Sequence, residues 1–599
     1  MLIFLDSKKV LISVILFLFF VTIVYGEPGI DDKNIYIGIS NTTSGNSSGL
    51  GNSLNDGISA YIHRHGNRVK DRQIVIIKRD DSYDPQLTIK NTEEFIASGN
   101  IFVLLGYVGT PTVYAVLNTI EEEKIPFFFP FTGASRLRNI HEASNVFNLR
   151  GSYQEEANVL LKYLSKRLKT KIALLYQADH FGLAVVDAVD MAIVSANLNM
   201  LTEIAKENAR NLRELVDRLV VRGTISRESL GAINNSDVAS YNGLRATGTI
   251  QQIRHILSDD NYDNFYLDAE IDLLLGSYNG VRDILPEEKI KQISKKDLLS
   301  QADIVKMKTL LSLGKLRIIR NNIAHSKTEG IKSLKDILNE LLNIVNNFKD
   351  KEKILSKNDI NSLSSYLSIK PDNELRYHTN KKRYSKITET LSNSGFSTGL
   401  DSFLLKRVVK ASFKRDTTEV NDAVASIFYE SNAGVDAVIM VGTYKPCAKF
   451  VQNSRSLTNR SVTFLTISFV GAHEFIRDFQ DVNGANNVIV TQVVPLLNSG
   501  DQVISKYEED MRTQFPNDWR TRLNFISLEG YLDAKLFLEI LEASKELTRD
   551  AVIEAANNMK NIDIGVSNNP ITFANDDHEG FDKVYITEIS GGNFHAILP

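Results

Sequence analysis

Three polar residues near the middle of the sequence have the types and spacing to act together on a phosphate group. They are Arg320, Asn321 and His325, in the segment LRIIRNNIAH. Residues four or five positions apart lie on nearly the same face of a helix, so the guanidinium and the imidazole would be close together. A cation and an imidazole side by side can bind a phosphate and move a proton at it. The spacing therefore indicates phosphodiester chemistry as one hypothesis for this segment.

This Arg-Asn-x3-His spacing resembles the HEPN helical domains, many of which cleave RNA, and the basic residues around it would suit RNA. A second interpretation stays open, because two ordinary helices around a polar turn would give the same pattern. Export of the chain would also carry the segment away from its usual RNA targets. We therefore expect no active ribonuclease and no nucleic-acid partner.

The other potential catalytic residues do not form a set. Outside residues 206 to 410 the histidines are scattered singly, without an HExxH motif, at His63, His65, His141, His180, His473, His578 and His595. The only cysteine, Cys447, has no histidine partner evident in the sequence, and a single thiol excludes internal disulfides and multi-cysteine metal sites. We expect neither enzymatic activity nor a cofactor or bound metal.

Apolar runs recur along the chain on both sides of residues 206 to 410. They are nearly continuous in Val, Ile, Leu and Phe, which is typical of strands covered on both faces. The runs are IYIGIS (35–40), IVIIKRDD (74–81), IFVLLGYVG (101–109), IPFFFPFTG (125–133), IALLYQAD (172–179), AVIMVGTY (437–444), FLTISFVG (464–471) and VIVTQVVP (488–495). Amphipathic stretches between them predict helices, so the pattern indicates an α/β fold with parallel sheets.

Most of these runs end in Gly, Ser, Thr, Asp or Tyr just before the next predicted helix. Ligands of open α/β sheets bind at the carboxyl ends of the strands, where helix N-termini and free loop amides point. The polar residues at the strand ends therefore predict a binding rim.

Residues 206 to 410 have a different character from the rest of the chain. They are rich in Asn and Lys, show helical periodicity without buried strand runs, and carry a net charge of about +8 against about −12 elsewhere. We expect a mainly α insert. The preceding helix is expected to end near Asn199, with MLTEIA leading into a strand continued by ASFKRDTTEV after the insert. A helix-to-strand connection lies opposite the binding rim, so ligand binding could survive the interruption.

Residues 1 to 26 have the order of a secretory signal. Lys8 and Lys9 precede the apolar run VLISVILFLFFVTIV, and Val24-Tyr25-Gly26 provides a small-residue exit. The run is shorter than the roughly 20 residues of a membrane-spanning helix, and no cysteine follows it to carry a lipid anchor. We expect a cleaved signal and a periplasmic or extracellular protein, with a retained N-terminal anchor as the alternative.

A series of short motifs spans residues 31 to 205 and 411 to 599 in a fixed order. The motifs are DDSYDP (80–85), LGYVGTPT (105–112), PFTGASRLR (130–138), VFNLRGSYQEE (146–156), YQADHFG (176–182), VGTYKPCAKF (441–450), SFVG (468–471), SLEGYLDAK (527–535) and ITFANDDHEGFDKVYI (571–586). Together they resemble the leucine/isoleucine/valine-binding family of periplasmic solute-binding proteins, which have the type I Venus-flytrap fold.

The resemblance implies two Rossmann-like lobes joined by a three-strand hinge. Lobe 1 would comprise residues 31–149 and 496–572, and lobe 2 residues 150–205, 411–495 and 573–599. The implied function is the solute-binding component of an ABC importer, which delivers a small polar solute to membrane permease subunits and performs no chemistry. The alternative is a ligand-sensing or scaffold module that acts through the helical insert.

The resemblance also implies where a ligand carboxylate would bind. In the family, hydroxyl and main-chain groups after two lobe 1 strands hold it, and these correspond to Thr110, Thr132 and Gly133. Oriented hydrogen-bond donors can hold an anion in a closing cleft without a full counter-charge. The alternative is structural: Thr110 would cap its helix and Thr132 would shape a turn.

From lobe 2, the resemblance implies that Phe181 and Tyr444 line the cleft, although an aromatic residue after a strand is otherwise usually core. Amino-acid binders place a carboxylate against the ligand ammonium at the position of Ser468 or Phe469, and neither residue is acidic. Glu529 could substitute from lobe 1, or be a solvated glutamate at a helix start. The ligand could equally lack an ammonium group, so amino acids, amides, urea-like compounds and carboxylates all stay open.

Overall fold

The structure is a computed structural model. It describes residues 27–221, 252–253, 255–256, 262–296, 298–312, 327–348, 350, 353–367, 372–393, 404–430, 434–457, 462–567 and 569–597. The expected signal sequence and the Arg320-Asn321-His325 motif lie outside the described residues. The chain divides into two compact units, Met1–Ala192 with Lys406–Pro599 and Ile193–Leu405.

The first unit contains two sheets. The first sheet has the order β2-β3-β1-β4-β5-β6 and is parallel except for the β2–β3 pair. Its strands are β1 (Asn34–Asn41), β2 (Arg68–Val69), β3 (Arg72–Asp80), β4 (Val103–Leu105), β5 (Phe127–Phe128) and β6 (Val146–Phe147). Strands β4 and β5 are fully buried, as their unbroken apolar sequences predict.

The second sheet has the order β13-β12-β11-β10-β9-β7-β8. Its strands are β7 (Lys171–Gln177), β8 (Lys406–Phe413), β9 (Ala437–Val441), β10 (Thr463–Thr466), β11 (Val488–Gln492), β12 (Tyr585–Ser590) and β13 (Asn593–Ala596). Strands β7 to β11 are parallel, and β12 and β13 add an antiparallel edge. We call the parts of this unit built on the first and second sheets lobe 1 and lobe 2.

Helices connect most of the strands. In chain order the α-helices are α1 (Ser48–Arg64), α2 (Pro85–Ser98), α3 (Thr110–Glu122), α4 (Tyr153–Lys166), α5 (His180–Val221), α6 (Tyr262–Ile284), α7 (Glu287–Lys295), α8 (Gln301–Leu310), α9 (Lys327–Asn346), α10 (Lys357–Leu367), α11 (Asp372–Asn393), α12 (Asn421–Ala425), α13 (Tyr444–Leu457), α14 (Ala472–Arg477), α15 (Gln502–Gln514), α16 (Trp519–Arg522), α17 (Phe525–Ala543) and α18 (Arg549–Asn557). A π-helical turn at Ser426–Glu430 follows α12, and short 3-10 turns lie at Ser135–Arg138, Ser468–Val470 and Val482–Ala485.

The chain passes between the two sheets three times. It leaves the first sheet after β6 for α4 and β7, returns after β11 to α15 and its neighbours, and comes back through α18 to β12. The outward and last passages run side by side, because the Gly580 amide donates to the Asn148 carbonyl at 2.8 Å and the Phe581 amide to that of Leu149 at 2.7 Å. These three passages confirm the predicted two-lobed α/β class and its hinge.

The second unit is helical in its described residues, as predicted for the insert. Its apolar core is built mainly from α6 to α10, with Tyr278, Met307, Leu334 and Leu341 among its fully buried members. The Tyr278 hydroxyl donates to the Leu310 carbonyl at 2.8 Å, which satisfies the one polar atom that this large side chain brings into the core.

The boundaries of the insert differ from the sequence prediction. Helix α5 does not end near Asn199: it continues to Val221, so MLTEIA (200–205) is helical and does not lead into a strand. Strand β8 begins at Lys406, inside the range assigned to the insert, and pairs in parallel with β7. The apolar and β-branched residues of KRVVKASF favour a strand, but the pattern is too short to separate it from the helical sequence before it.

Candidate functional site

Thr110 and Thr132 meet at the carboxyl edge of the first sheet. Thr110 opens α3 after β4, Thr132 follows β5, and these two strands are parallel neighbours. Their side-chain oxygens are 2.7 Å apart, and the Tyr153 hydroxyl lies 3.2 Å from Thr132 Oγ1 and 3.4 Å from Thr110 Oγ1. All three residues are buried. Three hydroxyl groups therefore converge at the point where the sequence predicted a ligand carboxylate.

Of the two structural alternatives for the threonines, a helix cap at Thr110 and a turn at Thr132, the structure supports only the second. The residue at the cap of α3 is Gly109, whose φ of 106° suits glycine, and the Thr110 side chain makes no capping hydrogen bond. Thr110 is therefore not the cap of its helix. Thr132 does stabilise its turn, because its Oγ1 accepts a hydrogen bond from the Ala134 amide at 3.3 Å.

Gly133 lets lobe 2 approach this turn closely. A side-chain carbon at this position would lie 2.5 Å from the Tyr153 ring, and the Gly133 carbonyl accepts a hydrogen bond from the Tyr153 amide at 2.8 Å. Tyr153 is itself fixed at the start of α4 by a capping box between Ser152 and Glu155. The position of Gly133 serves the contact between its loop and Tyr153.

Five buried aromatic rings meet between the lobes, and we call them the cleft aromatics: Tyr83, Phe131, Tyr153, Phe181 and Phe469. Ring centroids of Phe469 and Phe181 are 4.4 Å apart, and Phe469 also lies 5.4 Å from Phe131 and 6.4 Å from Tyr83. Phe181 is 5.6 Å from Tyr153. Phe181 therefore lies between the lobes, as predicted. The sequence did not predict that other aromatic rings would pack around it.

Tyr444 makes a separate contact between the lobes, which we call the rim contact. Its hydroxyl accepts a hydrogen bond from the Gly49 amide of lobe 1 at 3.3 Å. Beside it, Lys445 donates to Asn46 Oδ1 at 3.1 Å, and Asn46 Nδ2 donates to the Asp416 carbonyl at 3.1 Å. Asn46 of the β1–α1 loop and Gly49 in the first turn of α1 therefore join the two lobes through these three contacts.

Ser468 is committed to a buried carboxylate of α4. Its amide donates to Glu156 Oε2 at 2.7 Å and its hydroxyl to Glu156 Oε1 at 3.1 Å, while Thr491 Oγ1 donates to the same carboxylate. The Ser468 hydroxyl also accepts a hydrogen bond from Arg150 Nη2. Ser468 therefore connects Arg150 to Glu156.

Glu529 faces Arg150 in the interior. Its Oε1 lies 3.6 Å from Arg150 Nε, and only 4% of Glu529 is exposed, so the alternative of a solvated glutamate is wrong. Burial raises the pKa of Glu529 to about 7 against the opposing effect of Arg150. Burial also raises the pKa of Asp533, one turn further along α17, well above its usual range. The carboxyl groups beside Arg150 are thus poorly stabilised as anions.

Arg150 is the most consequential residue that the sequence analysis missed. It is 2% exposed, and its guanidinium carbon lies 4.2 Å over the Phe131 ring. Its Nε and Nη1 have no hydrogen-bond partner within the described part of the chain. An arginine inside the largely apolar crossover VFNLRG was the available signal. Tyr153 and Glu156 lie in the same motif, but helical periodicity alone marks them as ordinary helix residues.

The described residues contain no group of three or more His, Cys, Asp or Glu side chains placed to hold a metal ion. Burial raises the pKa of the Cys447 thiol, which disfavours the nucleophilic thiolate. The site's chemistry is therefore that of hydroxyl groups, aromatic rings, one buried guanidinium and the buried carboxyl groups beside it.

The comparisons with known structures agree with this architecture. A possible leucine/isoleucine/valine-binding protein from Rhodopirellula baltica SH 1 is similar at 19% identity with a TM-score of 0.55, and the match covers 95% of this chain and 97% of that one. A branched-chain amino acid ABC transporter protein from Thermus thermophilus, with bound valine, is similar at 13% identity and TM-score 0.53, covering 95% and 96%. A fatty acid ABC transporter substrate-binding protein from Thermomonospora curvata is similar at 14% identity with a TM-score of 0.54, and the match covers 95% of this chain and 93% of that one. The TM-scores show that this chain shares its fold with these proteins.

Among curated proteins, none gives a significant match to the chain. The family model described as periplasmic binding protein matches residues 34–221 and 408–593. Those two segments make up more than half of the chain and include both lobes on either side of the helical unit. The chain belongs to the periplasmic binding protein family.

Proposed function

We propose that this protein is the solute-binding component of an ABC importer and that it binds a small polar solute between its two lobes. The observation that carries the proposal is the convergence of the Thr110, Thr132 and Tyr153 hydroxyls at the carboxyl edge of the first sheet. That edge is where open α/β sheets bind ligands, and the cleft aromatics face it from both lobes.

Each residue has a defined role in this proposal. Thr110 and Thr132 exchange their mutual hydrogen bond for bonds to a ligand carboxylate or amide oxygen, and main-chain groups of the Gly133 loop assist them. Phe181 packs against the body of the solute. Tyr444 holds the rim closed through the Gly49 amide. The relative described with bound valine supports a solute of amino-acid size.

The proposal places the protein outside the cytoplasm. Residues 1 to 26 would act as a cleavable signal, and the folded chain would deliver its solute to permease subunits without transforming it. The helical unit would be a passenger that solute binding does not require, whether or not its Arg320-Asn321-His325 segment forms a HEPN-like fold.

A thermal-shift screen of residues 27–599 tests the proposal. A ligand that binds only the folded protein stabilises it by RT ln(1 + [L]/Kd), about 2.7 kcal/mol at a hundredfold excess over Kd. We expect at least one compound among amino acids, amides, urea analogues and small carboxylates to raise the melting temperature in proportion to its concentration. If the whole panel leaves the melting temperature unchanged, the solute-binding function is refuted.

A further inference from the structure

Arg150 has more hydrogen-bonding capacity than its surroundings use. Its Nη2 donates to Ser468, whereas Nε and Nη1 have no hydrogen-bond partner in the described ranges, although the residue is 98% buried. A buried guanidinium N–H without an acceptor carries a desolvation cost of about 1 to 3 kcal/mol. An anion beside Nε and Nη1 would remove that cost, with the bidentate geometry that arginine offers to carboxylates.

The neighbouring carboxylates do not meet this need. Glu156 is held by donors from Ser468 and Thr491. Glu529 approaches Arg150 Nε only to 3.6 Å, and burial raises its pKa to about 7, so at neutral pH it balances only part of the arginine charge. Neither Glu156 nor Glu529 therefore supplies the hydrogen-bond acceptors that Arg150 Nε and Nη1 lack.

The same geometry disfavours a ligand ammonium group. The guanidinium lies over Phe131, one of the cleft aromatics, and Phe131 contacts Phe469. A second cation placed among these rings would be repelled by Arg150 at short range in a medium of low polarity. Phe469 itself offers a ligand only an apolar ring.

One other acid near the cleft, Asp179, already has partners. Its Oδ1 accepts the amides of Phe181 and Gly182 at 3.0 and 3.3 Å, and its Oδ2 accepts Gln177 Nε2 at 2.6 Å. Asp179 thereby fixes the first turn of α5, in the manner of a helix cap. Its oxygens are committed to the protein's own donors.

We propose that the solute is a carboxylate with an apolar or aromatic body and no ammonium group. In this arrangement the carboxylate binds the free donors of Arg150 and the hydroxyls of Thr110 and Thr132, and the body packs among the cleft aromatics. The inference rests on the proposed solute-binding function and narrows it to one class of ligand.

Matched ligand sets separate this inference from the broader function. Calorimetric titration of residues 27–599 would compare phenylalanine, 3-phenylpropanoate and 3-phenylpropanamide, and then leucine, 4-methylpentanoate and 4-methylpentanamide. In at least one set we expect the deaminated acid to bind about tenfold or more tightly than both the amino acid and the amide, the equivalent of one strong polar contact. An amino acid or amide that binds as tightly as its acid overturns the inference and leaves the solute-binding function intact. Failure of both acids to bind also overturns it, and failure of the broad solute panel as well removes the underlying function.

Two variants locate the effect. Arg150→Lys keeps the charge but loses the planar pair of donors, so the preference for acid over amide should fall about tenfold. Arg512→Lys is the control, because Arg512 is exposed on α15 and its replacement should leave the preference unchanged. Phe469→Asp should shift the preference towards the amino acid. Circular dichroism and melting temperature confirm that each variant is folded, and an unaltered acid-to-amide ratio in folded Arg150→Lys contradicts the assignment. If Arg150→Lys does not fold, the ligand sets on the unaltered protein decide alone.

Discussion

Thr110 Oγ1 and Thr132 Oγ1 are 2.7 Å apart although the two residues belong to different strand-to-helix connections. Parallel pairing of β4 with β5 brings the ends of both strands to one edge and so sets this distance. Neither hydroxyl reaches solvent. A pair of buried hydroxyls that bond to each other can exchange partners for a ligand oxygen at small net cost.

Replacing Thr110 by valine keeps the side-chain volume and removes the hydroxyl. A ligand oxygen at this position would then lose a donor, so we expect binding to weaken by about 1 to 3 kcal/mol with little change in stability. Calorimetric titration measures the affinity. Thr513→Val is the matched control, since its hydroxyl bonds only to the Glu509 carbonyl on an exposed face. Unchanged affinity in Thr110→Val would remove this residue from the site.

Tyr444→Phe removes the hydroxyl that accepts the Gly49 amide across the rim. The loss of one neutral hydrogen bond is worth about 0.5 to 1.5 kcal/mol, so we expect the solute to dissociate roughly two- to tenfold faster. Stopped-flow measurement of the dissociation rate tests this. Tyr429→Phe, at an exposed tyrosine, should dissociate at the rate of the unaltered protein; equal rates for all three proteins would contradict a role of Tyr444 in closure.

The buried carboxyl of Glu529 predicts a pH-dependent stability. Burial raises its pKa from the ordinary 4.5 to about 7, so between these values the folded protein keeps a proton that the unfolded chain has lost. The contribution of Glu529 is therefore fully present below pH 4.5 and is lost as the pH rises through 7. The side chain introduced by Glu529→Gln cannot ionise. The melting temperature of the variant minus that of the unaltered protein should therefore be larger at pH 8 than at pH 4.5, by the equivalent of about 1 kcal/mol or more in the free energy of unfolding.

Thermal unfolding at the two pH values checks this dependence. Glu509→Gln is the control, because Glu509 is exposed on α15 and its replacement should not change the pH dependence. A Glu529→Gln variant whose melting temperature follows that of the unaltered protein at both pH values would show that Glu529 ionises freely in the folded state.

Removal of the helical insert tests whether solute binding depends on it. Residues 200–403 would be replaced by a flexible Gly-Ser linker of about ten residues, which keeps β8 intact from Lys406. We expect affinity for the solute within about threefold of the full chain, because both sheets lie outside the insert. Thr110→Val in the shortened background should weaken binding as it does in the full chain. Loss of binding on removal would favour the sensing or scaffold function instead.

The sequence was most informative about the strands. Runs such as IFVLLGYVG are almost entirely apolar because both faces of the sheet are covered. This pattern does not depend on which side chains cover the sheet. The general position of a binding rim followed from the rule that parallel strands present their carboxyl ends at one edge. Both inferences depend only on local sequence and topology, whereas Thr110 and Thr132 were singled out by the resemblance to the leucine/isoleucine/valine-binding family.

The sequence was least informative where contacts join distant segments. Arg150 is separated from both Ser468 and Glu529 by more than 300 positions, and neither period nor spacing reveals that it contacts them. Tyr444 follows a strand as Phe181 does, yet its hydroxyl accepts the amide of Gly49, a residue 395 positions away in the sequence. The end of α5 was misplaced because its helical period continues past Asn199 without a terminating residue.

One measurement tests the central claim, that the two lobes bind a solute between them. Titration of residues 27–599 with the best compound of the thermal-shift screen should give a saturable isotherm with one site per chain, and Thr110→Val should weaken it while Thr513→Val does not. No saturable binding, or binding that Thr110→Val and Arg150→Lys leave unchanged in folded protein, would contradict the account.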